Sequence, residues 1–363
     1  MFEMTRERLL EILEELCQLD GVSGYEQPVV RHLKERLTGL ADQVEIDPMG
    51  NLFALRRGQQ PGPTLMISAH TDEIGAAVRA VEPNGFLRIT LLGGTLPALL
   101  AGRMVTVKGH PGVVGVRPGH LQSPEERRRT PSEADLYVDL GVTSAEEVSA
   151  LGIEVGDPVC YHSPLRRLGG SRVAGKALDN RAGCAVLVAL LEEISGQPPA
   201  GTLWAVFNVQ EEVGLRGARV AAHRVRPDYA VVIDTIPAGD TPDVATTREH
   251  PVYLGRGPAF AVISGPRGRG NIMQPAMRKM LVEAASRAQV PYQLVTFTAG
   301  TSDISAVAMV GDGIPAAVVN IPRRYAHSPV EVLDLEDLWG AYLVVREILR
   351  QNGERRAFSF LQE

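Results

Sequence analysis

Residues 202–214 read TLWAVFNVQEEVG, an apolar run that closes on two adjacent glutamates. The run is short, rich in aliphatic and aromatic residues, and shows no polar alternation. That is the pattern of a strand buried on both faces, which occurs in parallel sheets covered by helices. The glutamates raise a separate question, because a carboxylate is rarely buried unless it is paired or bound to a metal. By themselves they read equally well as a solvated turn.

Three other runs share the texture of 202–210: TLMISA at 64–69, YAVVIDT at 229–235 and AAVVNIP at 316–322. Helical periods lie between and around them. Near the N-terminus Leu9, Leu10, Ile12, Leu13 and Leu16 form a core-facing stripe, and LDNRAGCAVLVALLEEISG at 178–196 is a mostly apolar helix. The last helix turns Leu338, Tyr342, Val345 and Leu349 to one side. Strands alternating with helices predict an α/β fold with a mostly parallel central sheet flanked by helices. VEIDPMGNLFAL at 44–55 reads as a hairpin, and Ser23 with Glu26 reads as a capping box opening a second helix.

From 74 to 165 the texture changes. Helical periods are scarce, glycines are frequent, Asn84-Gly85 signals a hairpin turn, and the loop at 121–135 is charged and proline-flanked. This segment is expected to be a small β-rich domain, for dimerisation or substrate access. It is inserted into a discontinuous catalytic domain made of 1–73 and 166–363.

The composition narrows the function. The chain has 363 residues, 44% of them apolar, and a formal net charge of −6. It has no polyanion-binding signature, so nucleic acid is not an expected partner. No run approaches 18 apolar residues, so no membrane association is expected. Three widely separated cysteines without a CxxC fit a reduced, cytoplasmic protein.

In open α/β sheets, sites form at the carboxyl ends of strands. His70, Thr71 and Asp72 follow TLMISA, Glu211 and Glu212 follow WAVFNVQ, and Asp234 follows YAVVI. His327 follows AAVVNIPRRYA, and Asp179 opens the long helix. Each alone has an ordinary explanation: a core histidine, a turn residue, a helix cap. Together at one sheet edge they form a donor set suited to divalent cations, and Zn²⁺ takes imidazole and carboxylate readily. The absence of cysteine among them argues for a catalytic centre rather than a structural one.

The ordered series SAHTDEIG, GKALDNRAGC, NVQEEVGLRGA, VIDT, GDGIPAAVVNIP and IPRRYAHSPVEVLDLEDL resembles the motifs of the glutamyl aminopeptidase and tetrahedral aminopeptidase family over nearly the whole chain. The resemblance implies two divalent metal ions per subunit, zinc or cobalt first and manganese as a third choice. It implies Asp179 as the bridging ligand, with His70 and Asp234 completing one metal and Glu212 and His327 the other. Asp72 would hold the His70 imidazole, and Glu211 would be the general base. Glu211 and Glu212, as consecutive residues at a strand end, are expected to point to opposite sides. Short peptides are the implied substrates, and a dimer-based homo-oligomer, with tetrahedral dodecamers among relatives, is the implied assembly. Asn180 stands where many relatives have aspartate; a cis peptide after the bridging aspartate is frequent in the family. Asp303, in AGTSDISA, is expected to support the site without ligating metal.

Cys184 is expected to be a buried helix residue. His120 is a weaker candidate for reaching the site from the inserted domain, and the arginines at 267 and 269 for lining a substrate pocket. Competing readings are a dinuclear metallo-deacylase or carboxypeptidase and, from other classes, a glycoside hydrolase or a non-catalytic binding protein. A glycosidase needs two carboxyls flanking a sugar and no metal. The sparse aromatics, 5% of the chain, offer few stacking platforms for one.

Overall fold

The strands Thr202–Asn208, Thr64–His70, Tyr229–Pro237 and Ala316–Arg324 lie side by side and parallel at the centre of one large sheet. In this computed structural model residues 3–196, 198–354, 358, 360 and 361 are described. The centre is buried on both faces, as its continuous apolar runs require: in Thr202–Asn208 only Thr202 and Trp204 are partly exposed. The margins of the sheet are antiparallel. Leu52–Arg57 pairs with Thr202–Asn208 and with Gln43–Ile46, completing the 44–55 hairpin, and Glu331–Asp334 pairs with Ala316–Arg324 and with Arg172–Gly175.

Helices flank this sheet. Leu178–Ile194 packs on Thr64–His70 and Tyr229–Pro237, with Arg6–Cys17 and Leu335–Arg350 against it, while Arg216–Val225 packs on Thr202–Asn208. The helix Arg6–Cys17 buries Leu9, Leu10, Ile12, Leu13 and Leu16, and Thr5 caps it by accepting from the Arg8 N–H at 3.1 Å. All four apolar positions of the final helix are buried as well.

The capping box read at Ser23 and Glu26 does not form. The helix Gln27–Leu37 begins after Glu26 with a proline in its first turn and no side-chain cap. The Ser23 hydroxyl donates to Asp72 Oδ2 at 2.6 Å instead, and Glu26 Oε1 accepts from the Gln210 N–H at 3.0 Å. A partner distant in sequence took the serine, and Glu26 divides its oxygen between Gln210 and the N–H of Gly24 at 2.8 Å.

Six strands between Gly75 and Tyr161 close into a small barrel around Val78, Leu87, Ile89, Val105, Val107 and Val138. Gly85 sits in its first hairpin turn at a φ of 85°, a conformation glycine adopts without strain. The barrel is tied to the large sheet by a buried ionic knot. Lys176 Nζ donates to Glu73 Oε1 at 2.7 Å and to Asp20 Oδ1 at 2.9 Å, and the barrel's Thr106 hydroxyl donates to Asp20 Oδ2 at 2.6 Å. No described helix is long and apolar enough to cross a membrane, and Cys17, Cys160 and Cys184 are free and buried.

Candidate metal centre and active site

His70 is the last residue of Thr64–His70, paired in register with Asn208, the last residue of Thr202–Asn208. Asp234 lies within Tyr229–Pro237 rather than just after it. Asp179 stands at the head of the long helix with non-helical dihedrals, and its peptide bond to Asn180 is cis. His327 follows Ala316–Arg324 through a bend in which Tyr325 and His327 both have positive φ. The parallel pairing brings all these ends to one edge.

The expectation that Glu211 and Glu212 alternate on a strand is not met. The strand ends at Asn208, and Gln210 turns the chain with a φ of 56°. A turn rather than the strand pleat therefore separates the two carboxylates. Glu211 Oε2 lies 4.0 Å from His70 Nε2, and Glu212 Oε2 lies 3.3 Å from His327 Nε2.

Asp179 stands between the imidazoles, with Oδ1 3.2 Å from His70 Nε2 and Oδ2 3.6 Å from His327 Nε2. Asp234 Oδ1 is 3.6 Å from His70 Nε2. The donors fall into two groups, His70, Glu211 and Asp234 in one and Asp179, Glu212 and His327 in the other. Within each, the candidate ligand atoms lie inside 4.8 Å of one another. These residues fit metal: the Oδ1 of Asp179 is buried with no well-aligned hydrogen bond among the described residues and only the His70 ring near it at 3.2 Å, a position a cation between them would answer. Imidazole with carboxylate is also a donor set that zinc-like cations accept.

The titration behaviour of the metal-free cluster reports the same excess of negative charge. Burial pushes the Glu211 carboxyl well above the usual carboxylate range, with Asp234, Asp303 and Glu212 adding to the push while His70 opposes it. Burial also raises Glu212 and Asp234. Burial would lower His327, but the Asp179 and Glu212 carboxylates beside its ring prevail and carry it up to about 10. Asp179 is held well below its ordinary value despite burial, by Arg323 first and then by both histidines.

Asp72 lies beside the His70 ring but is engaged mainly elsewhere. Its backbone carbonyl is 3.2 Å from His70 Nδ1 and its carboxylate oxygen 3.4 Å, so the carbonyl is the nearer partner of the ring. The carboxylate instead accepts from the backbone N–H groups of Glu211 and Glu212 at 3.0 and 3.1 Å. It fixes the turn that carries the glutamates.

Two residues escaped the sequence reading. Buried Glu331 accepts from the backbone N–H of Asp179 at 2.9 Å and of His327 at 3.1 Å, and from Arg323 Nη1 at 2.7 Å. Buried Arg323 donates through Nη2 to Asp179 Oδ2 and through Nε to the Thr235 hydroxyl. Both lie inside the quoted IPRRYAHSPVEV stretch, but their partners Asp179 and Thr235 do not. Asp303 is fully buried and accepts from Asn208 Nδ2 at 3.0 Å, adjoining the site without joining either donor group.

Other candidates fall away. His120, Arg267 and Arg269 are exposed and do not line the cavity that holds the cluster. Cys184 is buried with its thiol pushed up to about 12 by burial, and contacts the His70 carbonyl.

The parallel-centred α/β sheet with its small closed barrel is the fold shared with solved TET-type aminopeptidases. The chain belongs to the M42 glutamyl aminopeptidase family, whose profile matches residues 50–342. It is 32% identical over 348 residues to a lysyl aminopeptidase of Pyrococcus furiosus, covering 94% of this chain and 96% of that one. The structure of aminopeptidase APDkam598 from Desulfurococcus kamchatkensis superposes with a TM-score of 0.90 at 36% identity, over 95% of each chain. The TET1 peptidase of Pyrococcus horikoshii, which assembles into a tetrahedron or a large octahedral shell, gives a TM-score of 0.83 at 29% identity. That match covers 94% of this chain and 99% of the other.

Proposed function

We propose that this protein is an aminopeptidase that removes N-terminal residues from short peptides, using two divalent cations, zinc or cobalt first, and Glu211 as general base. The observation that carries the reading is Asp179, whose two oxygens face His70 and His327 separately at 3.2 and 3.6 Å. One carboxylate set between two imidazoles is what a bridging ligand requires. His70 and Asp234 would hold one ion, and Glu212 and His327 the other. Family membership supports the activity class and its metal dependence.

When bound, the cations polarise the scissile carbonyl and acidify water. The remaining work falls to the chain. Glu211, buried with its carboxylate 4.0 Å from His70 Nε2, accepts a proton from the attacking water and returns it to the leaving amine. Asp72 holds Glu211 and Glu212 through their backbones, and Glu331 with Arg323 holds Asp179 and His327. The shells formed by the TET1 relative support a homo-oligomer, and three free cysteines fit a cytoplasmic location.

The test compares one peptide panel, free and N-acetylated, with metal-loaded and chelator-treated protein. Release of N-terminal residues from free peptides only, and with metal only, is expected. Metal-dependent removal of acetyl groups or C-terminal residues would move the activity to a deacylase or carboxypeptidase.

A further inference from the structure

The cavity beside the cluster has a volume of about 570 Å³, room for one amino-acid residue with its side chain and the adjoining peptide. Its charged lining consists of His70, Asp179, Glu211, Glu212, Asp234 and His327, all assigned above to metal or proton transfer, and one further residue, Arg323. The rest of the wall is uncharged. The strand Ala259–Ser264 contributes Ala261 and Ser264, the strand Gln293–Phe297 contributes its last residue Phe297 and the loop after it Ala299, and Ile304 and Val318 add aliphatic surface.

Arg323 is the one group there that looks ready for an acidic side chain, and it is fully engaged. Its Nε donates to the Thr235 hydroxyl at 2.6 Å, its Nη1 to Glu331 at 2.7 Å, and its Nη2 to Asp179, with only 3% of the residue exposed. Turning it toward a substrate carboxylate would strand two buried carboxylates, a change that costs more than the new pair returns. Among the described residues, no acidic side chain beyond the cluster lines the cavity to meet a basic one. A charged side chain entering this space loses its water and gains no counter-charge, whereas an apolar one gains by burial.

Resting on the aminopeptidase reading, we infer that the cavity selects N-terminal residues with uncharged, mainly apolar side chains and discriminates against both acidic and basic ones. The family description names glutamyl specificity and the Pyrococcus furiosus relative lysyl specificity. This cavity has the free counter-charge for neither.

The experiment measures kcat/KM of the metal-loaded protein on aminoacyl-coumarylamides of leucine, methionine, phenylalanine, lysine and glutamate. At least one apolar substrate is expected to exceed both lysine and glutamate by tenfold or more. Lysine or glutamate turned over as well as the apolar substrates would overturn the selectivity and leave the aminopeptidase reading standing. No hydrolysis of any of them, with metal bound, would overturn both. Ala299 is exposed at the cavity wall, so Ala299→Asp is tolerated by the fold and places a carboxylate where the side chain would lie. It is expected to raise the lysine-to-leucine ratio at least tenfold; an unchanged ratio would show that the side chain is bound elsewhere and would sink the assignment.

Discussion

The backbone N–H of Glu211 donates to Asp72 Oδ1 at 3.0 Å, and that of Glu212 donates to the other oxygen of the same carboxylate at 3.1 Å. One fully buried aspartate, further fixed by the Ser23 hydroxyl, therefore sets where both glutamates begin. Asp72→Ala should leave these N–H groups without their acceptor. A stability loss of about 3 kcal/mol is expected in urea titration, since each buried unsatisfied donor costs about 1–3 kcal/mol. Metal affinity or turnover should fall about 10- to 100-fold, the usual effect of removing a residue that orients ligands. Unchanged stability and turnover would remove Asp72 from the architecture of the site.

Glu211→Gln separates two roles for one carboxylate. As the general base, it should leave metal content unchanged, measured by elemental analysis after dialysis, while kcat drops about 10²–10⁴-fold. Because Glu211 also clusters with His70 and Asp234 within ligand reach, loss of one metal equivalent would reassign it as a ligand.

Metal affinity should depend on pH with a definite sign. In the metal-free protein His327 holds its proton up to about 10, and a histidine must be neutral to ligate. Zinc binding, followed with a competing indicator, should tighten as pH rises from 6 to 9, by about one decade per pH unit for each proton released. The metal-free fold should respond oppositely. A histidine with a raised folded-state pKa contributes stability that is present below its unfolded value of about 6.5 and is lost as pH rises toward about 10. His327→Ala should abolish its share of both slopes and lower the bound metal.

Arg323→Met should destabilise the chelator-treated protein by about 3 kcal/mol or more in urea unfolding, because it leaves Asp179 and Glu331 as buried charges without their shared partner. Metal loading should recover part of that loss, since a cation at Asp179 answers the same charge. An equal loss with and without metal would mean that the arginine acts through packing alone.

The strands and the carboxylate–imidazole cluster at their ends were legible because burial on two faces leaves an unbroken apolar run, and the candidate ligands then sit where the run stops. Glu331 and Arg323 were not, although they lie within twenty residues of such an end. Their function is defined by hydrogen bonds to Asp179 and Thr235, 152 positions and 88 positions away, and distant pairing leaves no local period. Ser23 and Glu26 show the reverse error. Their spacing imitates a capping box, but Asp72 takes the serine, and Glu26 accepts from Gly24 and Gln210 and not from the Ser23 N–H. The neutral wall of the cavity was illegible for a related reason, since a strand and a loop separated by about 35 residues contribute to it jointly.

Gly94, from the segment joined to the barrel, lies against His327: a Cβ built on it would fall 2.2 Å from Nδ1 of that ring. A bare backbone thus serves as the backstop of a presumptive ligand, and no side chain larger than hydrogen fits between them. The inserted segment is for that reason not a detachable appendage. Excising it, or tilting it by the width of a methyl group, would change how freely the imidazole swings, so the fidelity of the centre is tied to a stretch of chain that contributes none of its donors.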